Sequence, residues 1–176
     1  HHRVVAGAST LLQRGVEVNA LVTVNRANAG HPLEVYRHLT GVGFEHLQFI
    51  PIVEREKPGS HRLSSWSVRP QAYGDFLCAV FHHWARRDVG RVFVQLFESA
   101  LNVWLGHPPT LCVFQPACGR ALAVEHTGDL YACDHFVYPG HLRGSVDSDI
   151  LKALVDGPEQ QAFGQAIPQH GDSHEN

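Results

Sequence analysis

No apolar run in these 176 residues approaches the roughly 20 residues that a helix needs to cross a bilayer, so no membrane span is expected. No signal-peptide pattern stands at the start. The chain does not begin with Met and reads as an excerpt of a longer protein. Basic residues are outnumbered, 14 Lys and Arg against 17 Asp and Glu, for a formal net charge of −3. A general nucleic-acid binder would carry a basic patch or stripe, so that class is excluded. Cysteine is scarce: four residues are too few for a disulfide scaffold and suit a reducing compartment, so the chain is placed in the cytoplasm. There is no internal repeat and no low-complexity tract. What is present is a hydrophobic content of 44% with 18% charge, which argues for a globular chain of one domain, or parts of two, with a real core. The 14 histidines are scattered, and the His82-His83 pair would point in different directions on a helix. They read as surface or partly buried residues rather than as a metal site.

Along the chain, Val4, Val5, Ala8, Leu11 and Leu12 keep helical spacing up to a stop at Gly15. Val16 to Val24 is rich in β-branched residues and reads as a buried strand of parallel type. Pro32 opens a helix that ends near Gly41-Val-Gly43, and His46 to Val53 reads as a second strand. Helix, strand, helix, strand with short links is the βα repeat of a parallel α/β sheet or barrel. Glu54 to Ser67 is loop, and Pro70 to Arg87 is a helix with Phe76, Leu77, Val80, Phe81 and Trp84 on one side and Cys78 offset from it. Val92 to Phe97 reads as a short strand and Glu98 to Leu105 as a helix. Gly106-His-Pro-Pro109 marks a domain boundary. Asp149 to Val155 reads as a short helix, and from Gly157 onward the chain is polar and read as frayed.

Chemistry concentrates after the boundary. Cys112 and Cys118 are separated by five residues, and Ala121 to Ala132 reads as a β-hairpin with a tight turn at Thr127-Gly128. The hairpin returns Cys133 toward Cys118. Three thiols so gathered suit a soft metal or an iron–sulfur cluster. Zinc and [4Fe–4S] sites both take four ligands, so the fourth must come from a histidine such as His126 or His135, or from elsewhere. Asp134 follows directly on Cys133, and beside a cluster its carboxylate becomes a candidate general base. In the second strand, alternation puts Gln48, Ile50 and Ile52 on one face and Phe49, Pro51 and Val53 on the other. Most of these read as core. Gln48 is the exception, because a buried amide needs partners and so points to a polar ligand. Asn19 and Asn25 invite the same argument more weakly.

These residues carry a resemblance. Cys118-Gly119, Val124-Glu-His-Thr-Gly-Asp-Leu-Tyr131, Cys133-Asp-His-Phe-Val-Tyr-Pro139 and Leu142-Arg-Gly-Ser-Val146 together resemble the auxiliary-cluster region of anaerobic sulfatase-maturating enzymes. That family belongs to the radical S-adenosylmethionine superfamily and carries a C-terminal SPASM domain. Val18 to Val24 and Leu47 to Pro51 resemble the later strands of its partial (β/α)6 barrel, and the likeness extends to about Phe163. It implies an α/β fold: residues 1–106 as the C-terminal part of the radical SAM barrel, residues 107–163 as a small cysteine-bearing β-hairpin segment of SPASM type, and residues 164–176 as a frayed tail. It also implies an oxidoreductase that turns a Cys or Ser of a sulfatase polypeptide into Cα-formylglycine, with S-adenosylmethionine and [4Fe–4S] clusters as cofactors and an electron donor as partner. On that resemblance Cys112, Cys118 and Cys133 match three ligands of the first auxiliary cluster, and Asp134 matches the proposed base. The face around Gln48, Ile50 and Ile52 falls where the barrel approaches the adenosine.

The departures are specific. The family's radical cluster uses a Cys-x3-Cys-x2-Cys motif, which this chain does not contain, and Ile167-Pro168 is followed by no cysteine where the family has a later cysteine group. The fourth auxiliary ligand is therefore unaccounted for, and the chain alone is expected not to start radical chemistry. Two alternatives stay open: another radical SAM/SPASM maturase acting on a different peptide, and a non-catalytic module holding structural zinc through the three cysteines and a histidine.

Overall fold

The computed structural model describes residues 2–57 and 62–166, in two compact units, His1–Leu101 and Asn102–Asn176. The first unit runs α1 (His2–Leu12), β1 (Asn19–Val24), α2 (Pro32–Val42), β2 (His46–Pro51), α3 (Pro70–Arg87), β3 (Phe93–Val94) and into α4 (Gln95–Trp104). Its three strands form one sheet in the order β1-β2-β3, parallel throughout, with Ala20 opposite Leu47 and Leu47 opposite Val94. The expected βα repeat is therefore present. Proline starts α2 and α3, where a missing N–H is harmless. Gly43, at φ +107°, stops α2 in the left-handed region that a Cβ disfavours.

One sheet face is covered. Ala20, Val24, Leu47, Phe49 and Val94 join Tyr36 of α2 and Phe76, Val80 and Trp84 of α3 in the core. The last three are spaced by four, as an inward helix stripe requires, and Cys78, offset from it, is exposed. Two buried polar links tie this layer. Trp84 Nε1 donates to Val92 O at 2.7 Å, and Tyr36 Oη donates to Asp88 Oδ2 at 2.7 Å, with Arg91 on the other carboxylate oxygen. The opposite face carries Leu21, Thr23, Gln48 and Ile50 in register and is far less covered; Leu21 is 63% exposed.

Three expectations are corrected. The first strand starts at Asn19, not Val16, whose side chain is exposed. The strand expected over Val92 to Phe97 has only two residues, because Gln95 already begins α4. Phe97 there meets the rings of Phe81 and Trp84 at 5.2 and 5.3 Å, and this helical packing wins over local β-propensity. The stretch after Gly157, expected to be loose, forms a helix over Pro158–Ala166. Residues 167–176, the rest of the expected tail, lie outside the described residues.

In the second unit a three-stranded antiparallel sheet is built from β4 (Ala123–Val124), β5 (Asp129–Tyr131) and β6 (Leu142–Ser145), in that order. The β4–β5 hairpin turns at Gly128, φ +87°, whose N–H donates to Glu125 O at 2.9 Å. Leu130 and Ala132 are fully buried. Two helices follow, α5 (Leu151–Val155) and α6 (Pro158–Ala166). No helix among the described residues is long and apolar enough to cross a membrane.

Candidate functional site

The three cysteines of the second unit sit at element ends. Cys112 opens a single 3-10 turn and is exposed. Cys118 lies in the loop before β4, half-buried, and its N–H donates to Gly164 O of α6 at 3.1 Å. Cys133 follows the buried Ala132 at the end of β5, in extended backbone, and leads into a 3-10 turn at Asp134–Phe136. All three are free thiols.

Burial and nearby charge perturb two of them. Burial pushes the Cys118 thiol up, and negative charge on Cys112 adds to it, while the N–H groups of Cys118 and Gly119 oppose the shift. Burial also pushes Cys133 up, to about 11, with the Asp134 carboxylate and Cys112 adding and the His135 N–H opposing. Cys112 is thus within electrostatic reach of both others. Backbone N–H groups aimed at sulfur are the kind of polar contact that tunes iron–sulfur ligands.

The donors are soft thiols, two in the connection between α4 and β4 and one after β5, with backbone N–H groups beside Cys118 and Cys133, a donor type that iron–sulfur clusters use. Among the described residues, no three His, Cys, Asp or Glu side chains converge to hold one metal ion. A single tetrahedral zinc needs such convergence. An iron–sulfur cluster spaces its thiolates more widely, one to each iron, but still around one common centre. A fourth ligand is not evident among the described residues. His126 and His135 are exposed and stand beside acidic neighbours, Glu125 at 3.7 Å and Asp134 at 3.9 Å.

Asp134 is next to Cys133 in the chain and touches its thiol. Its Oδ1 accepts from Cys133 Sγ at 3.1 Å, and its side chain is 76% exposed. In the first unit, Gln48 and Ile50 lie half-covered on the open face of β2, and Ile52 just beyond it, its N–H bonded to Val24 O at 2.9 Å. Asn25 has a local role: its Oδ1 accepts from Ala27 N–H at 2.8 Å, closing the loop after β1. Asn19 is exposed.

Residues that pattern reasoning missed stand behind the thiols. Gln160 of α6 is 1% exposed, and its Nε2 donates to both Gly119 O and Ala132 O at 2.8 Å. Its Oε1 accepts from Arg143 Nε at 3.0 Å. Phe163 meets Phe136 and His141 at 5.4 and 5.6 Å, beneath the Arg143 guanidinium. Pro158 followed by Glu159 was the one available sequence signal for this helix start.

Comparison with known proteins now adds to this geometry. No protein-family profile matches the chain. A serine-type anaerobic sulfatase-maturating enzyme of Bacteroides thetaiotaomicron is 37% identical over 94% of this chain and 44% of its own length. A serine-type enzyme of the same name from Klebsiella pneumoniae is 34% identical over 90% of this chain and 40% of its own. The solved structure of native anSMEcpe with bound AdoMet and Cp18Cys peptide matches with a TM-score of 0.74 and 26% identity, covering 90% of this chain and 44% of that one. The chain spans less than half the length of these relatives, and over that stretch it is homologous to the anaerobic sulfatase-maturating enzymes.

Proposed function

We propose that this chain serves as part of a radical S-adenosylmethionine oxidoreductase that converts a Cys or Ser side chain of a sulfatase polypeptide to Cα-formylglycine. The observation that carries the reading is the likeness, along nine-tenths of the chain, to proteins named for sulfatase maturation, one of them solved with AdoMet and a peptide. In this reading residues 1–106 are the later part of the radical SAM barrel, and residues 107–163 are the SPASM-type segment. The parallel strands of the first unit and the antiparallel hairpin of the second agree with that division. The open face of β2, with Gln48, Ile50 and Ile52, offers an amide and apolar surface to an adenosine. Cys112, Cys118 and Cys133 are three ligands of an auxiliary cluster, which when bound supplies one-electron redox chemistry. Asp134 accepts the substrate proton, and its exposure suits a group that must meet an incoming peptide. A reducing cytoplasm keeps such thiols available.

Anaerobic loading of the chain with ferrous iron and sulfide tests this reading. Bound iron and sulfide with a visible chromophore, lost in Cys118→Ser and Cys133→Ser, supports it. A colourless protein holding one tight zinc overturns it in favour of a structural zinc module. The chain has no Cys-x3-Cys-x2-Cys motif, so it is expected not to cleave S-adenosylmethionine unaided. Cleavage by the chain alone would contradict the assignment of its parts.

A further inference from the structure

Among the described residues of the second unit, one buried polar side chain sends both of its donated bonds to the segments that carry thiols. Gln160 is 1% exposed, yet every polar atom of its amide is matched. A glutamine amide has two N–H donors. Here one goes to Gly119 O, the residue after Cys118, and the other to Ala132 O, the residue before Cys133, both at 2.8 Å. The two carbonyl oxygens therefore stand no more than twice 2.8 Å apart, although the residues that carry them are far apart in sequence. The amide cannot be reversed. Turned over, its oxygen would face two carbonyl oxygens and its NH2 the Arg143 guanidinium, which now donates to Oε1 at 3.0 Å.

The same face of α6 makes two more attachments. Gly164, one turn on from Gln160, accepts the Cys118 N–H at 3.1 Å. A Cβ at Gly164 would fall 2.2 Å from Cys118 O, so only glycine lets helix and loop approach this closely. Phe163, between them, packs on Phe136, the last residue of the turn that Asp134 begins.

We propose that Gln160 is a positioning residue for the thiol site, its amide held by Arg143 and clasping the carbonyls beside Cys118 and Cys133, so that helix α6 sets the spacing of these two cysteines. The alternative is that Gln160 only stabilises the unit, with the loops holding themselves. The role in metal binding rests on the cluster reading above; the clasp itself does not.

The test is Gln160→Met, which keeps the volume and removes both donors, with hydrogen exchange and iron release measured in parallel. In the unloaded chain, exchange of the Cys118 N–H is expected to accelerate by about tenfold or more, while the Glu125 N–H in the hairpin turn stays within about twofold. In chain loaded anaerobically with iron and sulfide, loss of iron to a chelator is expected to quicken by a similar factor. Uniform acceleration of all amides in the unit would overturn the proposal in favour of plain stabilisation, and so would unchanged exchange at Cys118. Should Gln160→Met fail to fold, Arg143→Met decides: it leaves both donated bonds of the amide but removes the donor to its Oε1, and a selective, smaller acceleration at Cys118 is required. If the unaltered chain takes up no iron, the cluster reading falls, and the exchange measurement alone decides whether Gln160 is the clasp.

Discussion

Gly164→Ala reverses the sign that helix propensity assigns to it. In an ordinary helix interior the change stabilises by about 1 kcal/mol, because alanine loses less backbone freedom on folding. At Gly164 the new Cβ would meet Cys118 O at 2.2 Å and Cys118 C at 2.9 Å, both backbone atoms that no rotamer can move aside. Helix α6 must then shift away by about 1 Å to reach ordinary contact distances. That shift breaks the Cys118 N–H bond to Gly164 O and stretches the two 2.8 Å bonds of Gln160. Overpacking of this kind costs about 1–3 kcal/mol, and weakening buried hydrogen bonds adds about 1–2 kcal/mol. After the propensity gain, a net loss of about 1–4 kcal/mol is expected for the second unit. Urea unfolding followed by far-UV circular dichroism, with the alkylation rate of Cys118 as a local probe, measures it. An alanine variant as stable as the parent, with Cys118 no more reactive, would refute the close approach of α6 to the cysteine loop.

Gly74→Ala in α3 is the counterpart: nothing lies within 4 Å of its Cβ position, so the first unit should gain about 0.5–1 kcal/mol in urea unfolding. Cys133, pushed up to about 11 by burial and then by Asp134, should be alkylated far more slowly at pH 8 than the exposed Cys78 and Cys112, and the gap should narrow toward pH 11; peptide mass spectrometry reads both. Because its ordinary thiol value is 9.0, the unfolded chain ionises first, so the stability this thiol contributes is intact below about pH 9 and is lost between about 9 and 11. Tyr36→Phe removes the buried donor to Asp88 and should cost about 1.5–3 kcal/mol at pH 7. Burial alone would raise the Asp88 carboxyl, but hydrogen bonds from Tyr36 and Arg91 hold it below the ordinary range. Its contribution is therefore present above the unfolded carboxyl value and lost as pH falls, and the variant's urea midpoint should depend less on acid than the parent's.

The elements of the first unit were legible because their signals are local. Proline at the start of α2 and α3, Gly43 at the end of α2 and the spacing of Phe76, Val80 and Trp84 each act within a few residues. The short β3 was not, since Val92 to Phe97 is apolar except for Gln95, and the packing of Phe97 on the rings of Phe81 and Trp84 favours helix there. Helix α6 escaped for a different reason. Its buried positions are Gln160 and Gly164, which hydrophobic periodicity reads as exposed or as loop. The same cause hid the support of the thiol site, whereas the thiols themselves and the hairpin turn at Gly128 were plain in the sequence.

Composition and short-range pattern by themselves determined a parallel α/β unit followed by a hairpin flanked by cysteines, because spacing, capping and turn chemistry are set by near neighbours in the chain. Only the tertiary structure decided what holds those cysteines. The partners of Gln160 lie 28 and 41 residues away, and a buried amide reveals its purpose only once both carbonyls that it joins have been brought to it.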